Sequence, residues 1–171
     1  LISLTSLIDR QSDLRWNALY TTDNTLRAFL NQKQIGGDWE STQTIAPTNL
    51  TVIVLSDTSV QLTWTPIVYT GNTGGYEIWK GTPGSGGTVW SLEYTTPNKS
   101  TNTYTVAGLT PGILYDFKLR TKTDPHANNQ NTVYSEYSLP TSGDEFSGDL
   151  IDRTVWADLE FVRRINNGVL E

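Results

Sequence analysis

Cysteine is absent from the 171 residues, and so is methionine. Without thiols there is no disulfide framework, no thiolate nucleophile and no sulfur donor for a metal. The lack of cysteine does not imply a reducing compartment, because secreted and virion proteins also do without it. His126 is the sole histidine, which leaves a zinc site short of ligands and offers one candidate catalytic base. Basic residues are few, 12 against 18 acidic for a net charge of −6, and they are scattered. No cationic stripe for phosphates forms, so nucleic acid is not expected as a partner. No apolar run approaches the roughly 20 residues of a membrane span, and no signal-peptide pattern opens the chain. Membrane insertion is therefore not expected. With no initiator methionine, the chain is expected to be a segment of something longer.

What remains is a polar, globular composition: 36% hydrophobic, 18% charged, 14 glycines, and many Ser, Thr and Asn. That mixture favours alternating strands joined by frequent turns. Three textures follow one another along the chain.

Residues 1–44 read as a helical segment. Leu4, Leu7, Gln11, Leu14 and Ala18 fall at alternating spacings of three and four, with Ile8 and Leu19 beside them. This is a heptad seam of about two and a half repeats. Thr21-Thr22-Asp23-Asn24 breaks it and supplies caps for a second helix carrying Leu26, Phe29 and Leu30, which Gly36-Gly37 stops. Such a stripe needs a partner surface. It is expected either as a helical hairpin on its own chain or as the end of a coiled coil of identical copies, a trimer or filament, with Gln11 setting register.

From residue 45 the period changes to two. Leu50–Val54, Val60–Trp64, Tyr76–Trp79, Val89–Tyr94, Thr103–Val106, Tyr115–Thr121 and Tyr134–Ser138 read as seven short strands. Glycine-rich runs at 71–75 and 81–87 are read as loops on either side of the third. Seven alternating strands with turns between them describe an antiparallel sandwich.

Leu62-Thr-Trp64-Thr-Pro66, Tyr76-Glu-Ile78 and Leu109-Thr-Pro111-Gly112-Ile-Leu-Tyr115-Asp-Phe117 resemble the fibronectin type III series in order and spacing, over residues 45–142. The resemblance implies a mainly β, seven-stranded, Ig-like sandwich with Trp64, Tyr76, Leu109, Tyr115 and Phe117 in its core. It further implies a tyrosine corner at Tyr115, its hydroxyl bonded to nearby backbone. The 123–132 connection is longer and richer in Asn than usual, and it holds no Arg-Gly-Asp triplet, so integrin-type adhesion does not carry over.

Residues 143–171 open differently. Asp144-Glu-Phe146-Ser-Gly148 with Trp156 resembles the start of concanavalin A-like or laminin G-like jelly rolls, here a linker and a truncated further β-domain. Asn166-Asn167-Gly168 suits a hairpin turn between strands 160–165 and 169–170. The rival reading makes Val155, Leu159 and Val162 one face of a helix.

The search for chemistry returns little. His126 lies in the Asn-rich loop beside Pro125, where exposed loop duty is expected. Asp144, Glu145, Asp149 and Asp152 offer hard oxygens to calcium, but not at EF-hand spacing. Gly81–Gly87 lacks the Lys-Ser/Thr ending of a phosphate loop. Trp79, Trp90, Tyr69 and Tyr94 are candidates for a sugar-stacking platform, with core or edge packing the alternative. Asn49 and Asn98 begin glycosylation triplets read as incidental. No cofactor, metal or catalytic site is expected. The expected role is a non-catalytic structural or adhesive module, a spacer and interaction surface in an extracellular fibre, appendage, virion tail or cell-surface protein. The alternative is an accessory linker of a secreted carbohydrate-active enzyme or glycan-binding protein. Partners would be other protein chains, copies of itself included, or glycans.

Overall fold

The computed structural model describes residues 7–142, together with the backbone of 165–166 and 169–170. Eight strands follow from the alternation already noted, and their pairing creates two facing antiparallel sheets. One is the three-stranded β1(Thr48–Ser56)–β2(Ser59–Thr65)–β5(Thr103–Ala107). The other runs β4(Gly87–Thr95)–β3(Gly74–Gly84)–β6(Asp116–Thr123)–β7(Val133–Tyr134), with β8(Thr141–Ser142) also on β6.

Period-two side chains from both sheets meet between them. Val60, Leu62 and Trp64 of β2 face Tyr76 and Ile78 of β3 and Phe117 and Leu119 of β6, and all are buried. Trp64 meets Tyr76 edge to face at 5.5 Å, a geometry that aligns ring edge with ring face. Leu109 is buried as expected. Tyr115 is only half-buried, and its ring packs against the core from the rim.

Two expectations about the sandwich change. The run 81–87 is not a loop, because β3 continues to Gly84 and pairs with β4 down to Gly84↔Gly87. A Cβ on Gly81 would lie 2.4 Å from Thr88 Cγ2 and 3.1 Å from the Trp90 ring, so glycine there lets the strands approach rather than turn. The seventh strand shrinks to Val133–Tyr134. Ser135 and Ser138 hydroxyls accept the N–H groups of Thr121 (2.9 Å) and Leu119 (3.0 Å), taking places that ladder carbonyls would otherwise hold.

The N-terminal seam is also corrected. Residues 7–20 form no helix; Leu7 and Leu14 are half-buried, Gln11 and Ala18 exposed, and Leu4 lies outside the described residues. Arg10 and Trp16 adopt left-handed backbone (φ 56° and 57°), which interrupts any helix at both places. The helix expected second does form, as α1 (Asn24–Lys33), with Asp23 accepting from the N–H of Thr25 and Leu26. Residues 10–12 run past its end. Arg10 and Ser12 N–H groups take the orphan carbonyls of Gln32 and Lys33. Trp39 (2% exposed) and Leu30 fill a small second core, and Trp39 Nε1 donates to Asn31 at 2.7 Å.

This unit is fastened to the sandwich. Thr44 and Thr123 hydroxyls bond at 2.7 Å, Thr121 Oγ1 donates to Ile45 O at 2.7 Å, and Asn129 Nδ2 donates to Trp16 O at 2.8 Å. Near the C-terminus, Ile165–Asn166 pairs with Val169–Leu170 as a minimal hairpin. Residues 143–164, which carry the jelly-roll resemblance, the acidic cluster and the rival helix, lie outside the described residues.

Candidate interaction surface

Strand β6 divides its residues cleanly. Phe117, Leu119, Thr121 and Thr123 point inward, and Lys118, Arg120 and Lys122 point out. Register places Trp79 opposite Lys118 and Glu77 opposite Arg120 across β3. Trp90 on β4 stands over Gly81, and Tyr134 on β7 lies opposite Lys122.

The outward face thus alternates cations and rings. Lys118 Nζ sits 4.0 Å from the Trp90 ring and 4.2 Å from Tyr137. The Arg120 guanidinium sits 4.1 Å from Tyr134, 5.1 Å from Tyr137 and 5.7 Å from Trp79. Trp79 and Tyr137 meet edge to face at 6.0 Å. Glu77, 7% exposed, accepts from Arg120 Nε at 2.8 Å and Nη2 at 2.7 Å on the one oxygen Oε2, closing the stack with a partly buried ion pair.

Each cation–ring contact is worth about 0.5–2 kcal/mol, so the ladder stiffens the sheet. It also covers ring faces that a sugar would need. Of the four aromatics expected as a platform, Trp79 and Trp90 join the ladder. Tyr69 is buried, and Tyr94 stacks on Tyr104 at 4.5 Å on the sandwich's far edge. The four do not share a surface.

A second polar feature lies inside. Lys99, between β4 and β5, is 2% exposed. Its ammonium donates to Gly71 O at 2.6 Å and Thr123 Oγ1 at 3.1 Å and lies 3.9 Å from the Tyr69 ring. Burial pulls its pKa down to about 8, against a smaller upward pull from the Asp124 charge. The Tyr76 hydroxyl beside it donates to Lys99 O (2.8 Å) and accepts from Ile67 N–H (2.9 Å). Burial raises the pKa of that phenol.

Nothing among the described residues converges for catalysis. A shallow cleft of about 120 Å³ opens at the end of the sandwich, lined by Val54, Leu109, Ile113, Leu114 and Phe117, with Asp57 and Tyr115 its titratable groups. Tyr115 serves the corner: its oxygen accepts the Thr110 N–H at 3.2 Å, which lowers its pKa. His126 is half-buried rather than exposed; Nδ1 accepts from Asn128 N–H at 3.2 Å, and Nε2 is buried without a partner. Asn49 and Asn98 oxygens or amides are engaged in local bonds to Thr65 and to Ser100 and Thr101. The described residues hold no group of three or more His, Asp or Glu side chains suited to a metal ion, and no helix long and apolar enough to cross a membrane.

Residues 45–142 match the family model described as Fibronectin type III domain. The chain belongs to the fibronectin type III family. The third fibronectin III domain of the human KIAA0343 protein is 20% identical, over 66% of this chain and 94% of that one, with a TM-score of 0.45. The FN1–FN3 domains of chicken CNTN1 are 16% identical, over 58% and 29%, with a TM-score of 0.42. The FN5 domain of Drosophila Lar is 19% identical, over 58% and 92%, with a TM-score of 0.39. No curated protein matches the sequence. The jelly-roll resemblance beyond residue 142 gains no support. Type III domains are commonly structural or adhesive modules of extracellular proteins, and typically non-catalytic.

Sequence reasoning located the sandwich and its core but missed three polar features. Lys99 gave no signal, since a lysine in a Pro-Asn-Lys-Ser turn reads as solvent-facing. The deeply bonded phenol is that of Tyr76, not Tyr115. The ladder was findable from the outward positions of β6, but only after register with β3 was known.

Proposed function

We propose that this type III unit is a non-catalytic spacer and interaction surface within a longer extracellular fibre, appendage, virion tail or cell-surface protein. One observation carries the reading: the chain passes lengthwise through the sandwich. It enters at the Thr121–Thr123 end of β6, fixed there by Ile45 and Thr44. It leaves at the other end of the same strand, where Thr141 and Ser142 pair with Phe117 and Asp116. Seven residue steps separate Asp116 from Thr123, about 24 Å at 3.4 Å per residue. A module with entry and exit at opposite poles extends whatever it is built into, and the fastened unit at 7–44 makes the entry stiff. The cation-capped rings on the outer sheet disfavour a sugar-stacking role.

Electron microscopy of the parent assembly tests this. Deleting residues 45–142 is expected to shorten it by the length of one domain, and substituting another type III domain is expected to restore that length. An assembly of unchanged length after the deletion refutes the spacer.

A further inference from the structure

A sandwich of two open sheets has four edges, and each unpaired strand invites another to add to it. Three edges here are blunted. Strand β1 follows Pro47, carries Asn49 at φ 53° and breaks register twice against β2. Strand β5 has five residues and ends at Gly108, φ 73°. Strand β7 has two residues and dissolves into the serine-bonded stretch.

Strand β4 is the least defended of the four, with a single register shift against β3 beyond Leu92. It runs nine residues, pairs only with β3 among the described residues, and contains neither proline nor lysine. Val89, Leu92 and Tyr94 on it are 61%, 49% and 41% exposed. Its one charge, Glu93, is bound at 2.7 Å by Lys80 of its own chain. Two copies of this edge can therefore approach without like-charge repulsion, although each chain carries a net charge of −6.

We propose that β4 pairs antiparallel with β4 of a second copy, joining two five-stranded sheets across a two-fold axis. Directly opposed residues in an antiparallel pair share a face, so the axis must fall on a residue. The regular part of β4, before the register shift opposite Ile78 and Trp79, is Gly87–Leu92. Centring on Trp90 uses five of those six residues, Thr88–Leu92. It sets Trp90 against its symmetry mate, Thr88 against Leu92 and Val89 against Ser91. On the outer face the ladder then runs unbroken, with Lys118 behind each Trp90 and the two indoles between them. The interface is isologous and closes as a dimer, not a filament or trimer. A spacer needs no self-association, so this pairing and the spacer reading stand or fall separately.

Sedimentation equilibrium of the full chain from about 10 µM to about 1 mM tests the pairing. The wild type is expected to pass from monomer to dimer. Because Val89 faces Ser91 of the mate, Val89→Lys/Ser91→Lys and Val89→Glu/Ser91→Glu are each expected to remain monomeric alone. Mixed in equal amounts they are expected to recover the dimer, which also shows that both are folded. A wild type monomeric throughout, a double variant that dimerises alone like the wild type, or a mixture that stays monomeric overturns the proposal.

Discussion

Lys99 should make this fold more stable as the solution becomes alkaline, over a range where most proteins gain nothing. In the folded chain its pKa is about 8, against an ordinary value of 10.5. Below about pH 8 both folded and unfolded chains carry the proton, and folding must bring a charged ammonium into the interior. Between about 8 and 10.5 the unfolded chain still binds the proton while the folded chain has released it, so stability rises with pH. The full interval corresponds to roughly 3 kcal/mol at 1.36 kcal/mol per pH unit. About 2 kcal/mol of this is gained between about pH 7 and 9.5, and the rest above. Above about pH 10 the trend reverses. Burial raises the pKa values of Tyr69, Tyr76 and Tyr104, so their ionisation in the unfolded chain works against folding. Urea denaturation at half-unit pH steps reads both limbs. Lys99→Met keeps the stem and removes the titrating group, and should flatten the rising limb while leaving the tyrosine limb in place. A wild-type stability that falls across the first window, or a rise that survives Lys99→Met, refutes the assignment.

Other substitutions probe the core in the same urea assay. Trp64→Ala should lose about 3–5 kcal/mol, as large aromatic truncations in cores do. Trp64→Phe should lose markedly less, because the buried Nε1 has no partner to forfeit; equal losses would mean the indole N–H is satisfied. Tyr76→Phe strands two buried backbone groups and should cost about 2–3 kcal/mol, whereas Tyr115→Phe should cost about 1 kcal/mol, since the Thr110 N–H can turn to water. A reversed order would show that the corner, not the interior phenol, holds the fold.

The sandwich was legible because its information is local. Val60-Gln-Leu62-Thr-Trp64 alternates in sequence as it alternates in space, and Asp23 caps α1 from its own neighbours. The N-terminal seam was not legible for the opposite reason. Its three-and-four spacing is what a helix would show, but the Leu14 and Leu19 N–H groups donate to the side-chain oxygens of Gln34 and Gln43 and hold an extended path instead. Those partners lie 20 and 24 residues away, beyond any periodicity window. The loss of most of the seventh strand has the same character: two serine hydroxyls outcompete a ladder that the apolar pattern alone would favour. The outer ladder depends on which residue of β3 meets which of β6, and pairing register is not written in either strand by itself.

The passage of the chain along β6 also has a mechanical meaning. Tension applied through Ile45 at one pole and Ser142 at the other acts parallel to the strands it must dislodge. Hydrogen bonds so loaded resist together, in shear, rather than opening one after another like a zipper. The Ile45–Thr121 bond and the Thr141–Ser142 pairing would yield first, and the interior beneath Trp64 and Phe117 only after them. A protein pulled from both ends would then lengthen in two steps, with its outer fastenings acting as a reversible extension ahead of the core.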